Sequence, residues 1–365
     1  MDQRSVLIKL HEMDRIGWKT IALLMEKRVN LADLLLFSEL EWRELGFSPD
    51  KAKKISSELT MDQIEHTNGL LLEQGIHVVT FLDEQYPILM KETARPPWVL
   101  YGLGRMELLS SLSVAIVGTR VPTAYGRKVS VMLSEALSEA GITVVSGMAR
   151  GIDSICHETV LDYGGSTIAV LGTGIDVIYP PENTSLYHFI AERGLVLSEY
   201  PIGTKSHPGL FPQRNRIIAG MTRGTVVVEA DERSGSLITA DAALEANRDV
   251  FAVPGPITSP KSRGTLSLIK QGAKVVTSAH DIIEEYTPWL SNKVNHTYPN
   301  HHRQMDEHLT TSEMTIVDIL DHNDRSFDEL LGQTGWDFGH LHSVLLSLII
   351  KKQIIQLSGS LYKRI

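Results

Sequence analysis

The chain predicts an α/β protein in which a doubly wound parallel sheet lies between an N-terminal helical module and a C-terminal winged-helix domain. Three observations carry the prediction: helically spaced apolar residues at the start, six short apolar runs alternating with helical stretches in the middle, and three helices followed by two short strands at the end.

Residues 1–66 place Val6, Leu7 and Leu10, then Ile21, Leu23 and Leu24, then Leu34, Leu35 and Leu45 on helical faces, broken by Gly17, Gly46 and Pro49. The breaks at Gly17 and Gly46-Phe47-Ser48-Pro49, each followed by helix formers with lysine, resemble helix-hairpin-helix (SAM-like) units that hold phosphate through backbone N–H groups. A helical packing module is an equal reading. Residues 67–110 hold His77–Phe81 and Trp98–Tyr101 among Pro87, Pro96 and Pro97, which suits a connector with short strands.

Across 111–287 the strands read Val114–Val117, Thr143–Val145, Thr167–Leu171, Leu195–Leu197, Thr225–Val228 and Val250–Val253. Mainly apolar runs without alternation suit strands covered on both faces, so a Rossmann-like parallel sheet with helical crossovers follows. Residues 288–308 are polar and aperiodic and read as a linker, a setting that also accounts for the adjacent His301 and His302. In 309–365, helices near 311–321, 326–333 and 337–350 precede strands at 353–357 and 360–363 joined at Ser358-Gly359. The third helix offers Asp337, His340, His342 and Ser343, with no lysine or arginine before Lys351. A groove-reading helix normally carries positive charge, so a protein-contact role is favoured over duplex binding.

Charge narrows the function. With 35 Lys+Arg against 44 Asp+Glu, the chain carries a net charge of −9. A generally basic coat for nucleic acid is excluded, and any polyanion must meet cations gathered in one groove. The single cysteine, Cys156, leaves no disulfide framework within the chain, and no apolar run approaches membrane-spanning length. The expectation is a cytoplasmic protein with no membrane partner.

Ligands of an open parallel sheet sit beyond the carboxyl ends of its strands. Those ends read Gly118-Thr119-Arg120, then Ser146-Gly147 with Arg150-Gly151, then Gly172-Thr173-Gly174, and Ser234-Gly235-Ser236 after the fifth strand. Glycines, hydroxyls and arginines ahead of helix starts suit an anion site. Before the fifth strand lie Lys205 and the run Phe211-Pro212-Gln213-Arg214-Asn215-Arg216, which pairs a stacking face with backbone-directed charge, the combination used by single-strand binders. Phe211 is equally a core residue at a helix start, and Arg214 or Arg216 equally a partner of Glu199, Glu229 or Asp153. Asp153 and His157, four apart, share a helix face, where a hydrogen-bonded pair is favoured over an acid and base. Neither a phosphate-binding GxxxxGK[ST] loop nor a metal-spaced histidine set is present, so catalytic residues, cofactor and metal are expected to be none.

These motifs, with Tyr179-Pro180, Ser198-Glu199, Ile217–Gly220, Leu237–Ala240 and Phe251–Gly255, resemble the DNA-processing DprA (Smf) family over about 140 residues. The resemblance implies a bacterial single-stranded DNA-binding recombination mediator that is not an enzyme. Such a protein protects DNA entering during natural transformation (competence) and loads RecA onto it. It also implies a homodimer, with single-strand-binding protein as a further candidate partner. Arg120 matches the family's first-strand arginine and Phe211 its aromatic residue; Lys205 lies in a poorly aligning segment, and Leu266 stands where many members have asparagine. The competing class is a nucleotide-binding enzyme of the phosphoribohydrolase type, disfavoured because Pro254-Gly255 is followed by Pro256 and Gly264-Thr265 by no glutamate at the catalytic spacing.

Overall fold

The computed structural model describes residues 2–27, 29–291, 310–320, 325–351, 353–357 and 361–364. His301, His302 and the Ser358-Gly359 turn lie outside the described residues. The chain divides into two compact units, Met1–Asn295 and His296–Ile365.

The first unit is organised by nine strands: β1 His77–Thr80, β2 Val99–Gly104, β3 Ser113–Val117, β4 Thr143–Ser146, β5 Thr167–Gly174, β6 Leu195–Tyr200, β7 Gly224–Val227, β8 Asp249–Ala252 and β9 Lys274–Val275. Their order is β1-β2-β6-β5-β4-β3-β7-β8-β9, parallel from β6 to β9, with β2 antiparallel to β6 and β1 antiparallel to β2. All six strands expected between 111 and 287 are present. β1 and β2 are not a separate connector: they extend the same sheet. Val99, Leu100 and Tyr101 are buried completely there, which two proline-flanked strands would not achieve alone.

Alternation explains why these runs carry no polar face. Val114 and Ile116 enter one core with Val144, Val226 and the helix Ala124–Glu139, while Ala115 and Val117 enter another with Val145, Val227 and the helix Leu210–Gly220. Successive side chains leave a strand on opposite faces, and both faces here are roofed by helices.

The helical module comprises Gln3–Glu12, Trp18–Glu26, a 3-10 turn Leu31–Leu36, Glu39–Glu44, Pro49–Glu58 and Met61–Glu73, so its last helix runs past the expected boundary at 66. Val6, Leu7, Leu10, Ile21 and Ile55 share one core with Ala169 and Leu171 of β5 and Val196 of β6. The join is also polar. The Trp18 and Trp98 rings stack at 5.5 Å, the Trp18 indole N–H donates to the Pro96 carbonyl at 2.6 Å, and that of Trp98 donates to the Trp18 carbonyl at 3.1 Å.

The helix His280–Ser291 continues through 288–291, where a linker was expected. Trp289 is held there by the Arg223 guanidinium, 4.1 Å from its ring.

The second unit has helices Thr311–Leu320, Phe327–Thr334 and Phe338–Ile350 over strands β10 Arg325–Ser326, β11 Ile354–Leu357 and β12 Leu361–Arg364, ordered β10-β12-β11. Ile316, Leu330, Leu341, Leu345 and Leu348 form its core. This arrangement is compatible with the expected winged helix. Lys351 is bound to Glu313 at 3.0 Å, so the cation nearest the third helix is already paired.

Candidate functional site

The sheet reverses direction between β3 and β7: the chain runs outward through β4, β5 and β6, returns to β7, then runs outward through β8 and β9. That switch point opens a crevice of about 650 Å³ at the strand carboxyl ends. Val117–Val121 after β3, Asp231 and Arg233–Ser236 after β7, and Phe211, Arg214 and Asn215 from the helix Leu210–Gly220 line it, joined by Tyr179 and Lys261.

Of the expected residues, Gly118, Thr119, Arg120, Phe211, Arg214, Asn215, Ser234, Gly235 and Ser236 lie together in this lining. Arg120 is exposed and has no hydrogen-bond or ion-pair partner among the described residues. Phe211 is half-buried, its ring 5.3 Å from that of Tyr179 and tilted by 40°. Gly172 makes this placement possible, because a Cβ there would stand 2.7 Å from the Phe211 ring. Asn215 donates to the Gly235 carbonyl at 3.3 Å, fixing one wall of the crevice to the other.

Arg214 lines the crevice as a structural cation. Only 4% exposed, it donates to the Gly147 carbonyl at 2.6 Å, to the Val170 carbonyl and to Asn215 Oδ1 at 3.1 Å, tying the ends of β4 and β5 together. Burial lowers its pKa to about 10, and the Asp153 carboxylate opposes that shift. Asp153 accepts the N–H groups of Gly147 at 3.1 Å and Ala149 at 3.3 Å; burial raises its pKa and Arg214 draws it back.

The remaining expected residues stand outside this lining, and most of them already have partners. Ser146 is fully buried and donates to the Ile116 carbonyl at 2.7 Å. Gly147 has both its N–H and its carbonyl taken, by Asp153 and Arg214. Gly151, at φ +83°, shapes the wall: its ideal Cβ would fall 2.5 Å from the Thr119 carbonyl oxygen, so glycine lets the β4 loop press on the β3 loop. Gly172 and Gly174 belong to β5 itself and are buried, and the Gly174 N–H donates to the Thr204 carbonyl at 2.8 Å. Arg150 is ion-paired with Glu182 beside a small recess next to the crevice. Arg216 is held by Glu199 and by the Arg95 carbonyl at 2.6 Å and does not reach the crevice. Lys205 is exposed on the loop that brings Pro208 to the crevice, without being part of the lining.

Two of the three helix starts expected to receive anion already carry one. Glu229 accepts the Thr123 N–H at 2.9 Å and the Thr123 hydroxyl at 2.5 Å, covering the start of the helix Ala124–Glu139. Asp153 does the same for the loop before Ile152–Asp162. The start of Gly235–Glu245 has no such carboxylate; Ser234 caps it weakly, 3.4 Å from the Ser236 N–H. His157 turns from Asp153 to the Thr167 hydroxyl at 2.6 Å, and burial holds its pKa down to about 3, so the expected pair does not form.

Two crevice cations escaped the sequence reading. Arg233 is exposed and unpaired among the described residues; it directly precedes the Ser234 cap, and scanning one residue further back would have found it. Lys261 enters from the 3-10 turn Pro260–Ser262 and donates to the Thr119 hydroxyl at 3.3 Å, a placement no local pattern announces.

Comparison with known proteins agrees with this architecture. Residues 77–287 match the family model described as DNA recombination-mediator protein A. A protein Smf from Synechocystis is 49% identical over 205 residues, 55% of this chain and 52% of that protein, so the match spans about half of the relative's length. DNA processing protein DprA from Bacillus subtilis is 46% identical over 214 residues, 58% of this chain and 72% of that one. The solved structure of DprA from Streptococcus pneumoniae has a TM-score of 0.58 at 38% identity, covering 74% of this chain and 98% of that one. A DNA processing protein A from Helicobacter pylori, solved for its single-stranded DNA binding mode, has a TM-score of 0.54 at 31% identity, covering 58% of this chain and 96% of that one. With more than half of its length matched by the family model, the chain belongs to the DNA recombination-mediator protein A family, the DprA (Smf) proteins.

Proposed function

We propose that the protein binds single-stranded DNA in the switch-point crevice and acts as a recombination mediator. The observation that carries this reading is the convergence of three cations without carboxylate partners, Arg120, Arg233 and Lys261, with the Phe211–Tyr179 ring pair in one lining. A strand needs positive charge for its backbone and an aromatic face for its bases, and the crevice has both. The Helicobacter pylori relative's single-stranded DNA binding supports the same use.

The chain's net charge of −9 then confines a polyanion to this opening. Gly118, Thr119, Asn215, Ser234, Gly235 and Ser236 contribute polar backbone and side-chain groups along the strand's path. RecA is the partner that takes over the bound strand, the protein works as a homodimer in the cytoplasm, and the winged-helix unit contacts protein in preference to duplex. The enzyme reading gains nothing from the site: Asp153 and Glu229, the carboxylates it would draw on, are engaged in holding loop and helix N–H groups.

Fluorescence anisotropy with a labelled single-stranded oligonucleotide and with the matching duplex tests the binding. Preference for the single strand, lost in Phe211→Ala by about 1–3 kcal/mol, is expected. Equal affinity for both forms with no effect of Phe211→Ala would contradict it. RecA filament growth on strands already coated with single-strand-binding protein tests mediation, which requires growth to depend on the added protein.

A further inference from the structure

We propose that the crevice also takes a free nucleoside 5′-monophosphate, with its phosphate at the start of the helix Gly235–Glu245 and its base at the Phe211–Tyr179 rings. This deepens the strand-binding reading by naming a small ligand for the same opening.

The phosphate end rests on two independent observations. The helix start at Ser234–Ser236 is the one, among the helices after β3, β4 and β7, that no internal carboxylate covers: Ser234 meets the Ser236 and Leu237 N–H groups, while the Gly235 N–H has no partner among the described residues and the helix dipole is left without an anion. The second is Thr239, one turn further along that helix. It is 1% exposed, lines the crevice, and its hydroxyl has no hydrogen-bond partner among the described residues. The hydroxyl is left to meet whatever occupies the crevice. Asn215, which bonds the Gly235 carbonyl, leaves the helix's N–H groups free of that contact.

Charge fits a phosphomonoester. Arg120, Arg233 and Lys261 share the lining with one half-buried carboxylate, Asp231, while Arg214 and Asp153 offset each other below the surface. Two positive charges remain, matching the roughly −1.5 to −2 that a phosphomonoester carries near neutral pH. An internal phosphodiester of a strand carries one charge and would leave this end incompletely neutralised.

At the other end the two rings present an aromatic face beside Arg120. The crevice volume of about 650 Å³ lies within the roughly 300–1,000 Å³ typical of small-ligand sites. Neither end suffices alone: phosphate without a base forgoes stacking, and a nucleoside without phosphate leaves the cations and Thr239 unmet.

The test uses the full chain, with oligonucleotide binding measured first and calorimetric titration of dAMP, deoxyadenosine and inorganic phosphate second. Expected is dAMP binding at least about tenfold tighter than deoxyadenosine or inorganic phosphate, with displacement of the labelled oligonucleotide. Thr239→Val should weaken dAMP several-fold, and Arg233→Gln, on an exposed side chain that folding does not require, should weaken dAMP without changing deoxyadenosine. Inorganic phosphate binding as tightly as dAMP, or Arg233→Gln leaving dAMP unchanged, would overturn the proposal. A protein that binds the oligonucleotide but not dAMP also overturns it and leaves the strand reading standing. One that binds dAMP but not the oligonucleotide keeps this proposal and removes that reading.

Discussion

Replacing Arg214 with alanine should cost stability before it costs anything else. The guanidinium is 4% exposed and donates to the Gly147 and Val170 carbonyls and to Asn215, with the buried Asp153 carboxylate beside it. Removing the cation strands a buried negative charge and two carbonyls, for which about 3–5 kcal/mol is the expected loss. At about 2–3 °C per kcal/mol for a unit of this size, the melting temperature should fall by roughly 6–15 °C. The sign of the pH dependence follows from Asp153. Its folded pKa already lies above the unfolded value near 3.8 because of burial, and Arg214 lowers it. Without Arg214 the folded pKa rises further, so the folded state binds more protons and its stability declines as pH rises across a wider window. The deficit should therefore be larger at about pH 8 than at about pH 5, read by thermal unfolding at both values. An Arg214→Ala protein with unchanged melting temperature and a selective loss of strand affinity would refute this reasoning and return Arg214 to the DNA contacts.

Other consequences follow from the same geometry. Gly172→Val places side-chain atoms where the Phe211 ring lies, 2.7 Å from an ideal Cβ, and should reduce strand affinity in anisotropy by an amount comparable to Phe211→Ala, about 1–3 kcal/mol. Arg216→Ala should lower the melting temperature, because the partly buried Glu199 loses its partner, while strand affinity measured below the transition stays at the wild-type value. Burial pushes the Cys156 thiol up to about 12, so it should stay unreactive toward a thiol reagent at neutral pH until denaturant opens the unit; fast labelling of the folded protein would contradict its placement.

The six central strands could be read locally because each is buried on both faces over most of its length and therefore has a mainly apolar run. β1 and β2 looked like a connector because their membership in the sheet depends on antiparallel pairing with β6, from a segment some 90 residues later, as in the Tyr101 to Ser198 register. β9, two residues long, gives no periodicity. The rule that ligands gather beyond strand carboxyl ends brought Gly118–Arg120 and Ser234–Ser236 to the crevice. Composition could not say which charges were already spent. Arg216 and Glu199 are partners 17 residues apart, Arg150 meets Glu182, and Lys261 reaches Thr119 across 142 positions. Whether a cation is free is a tertiary property, and sequence patterns report the cation alone.

The salt dependence of single-strand binding tests the central claim most directly. If Arg120, Arg233 and Lys261 each neutralise one phosphate, log K against log salt should fall with a slope of about −2, at roughly 0.7 per phosphate, and Arg120→Ala should bring it to about −1.4. A slope near zero, or an Arg120→Ala protein with the same affinity and slope as the wild type, would place the strand somewhere other than this crevice.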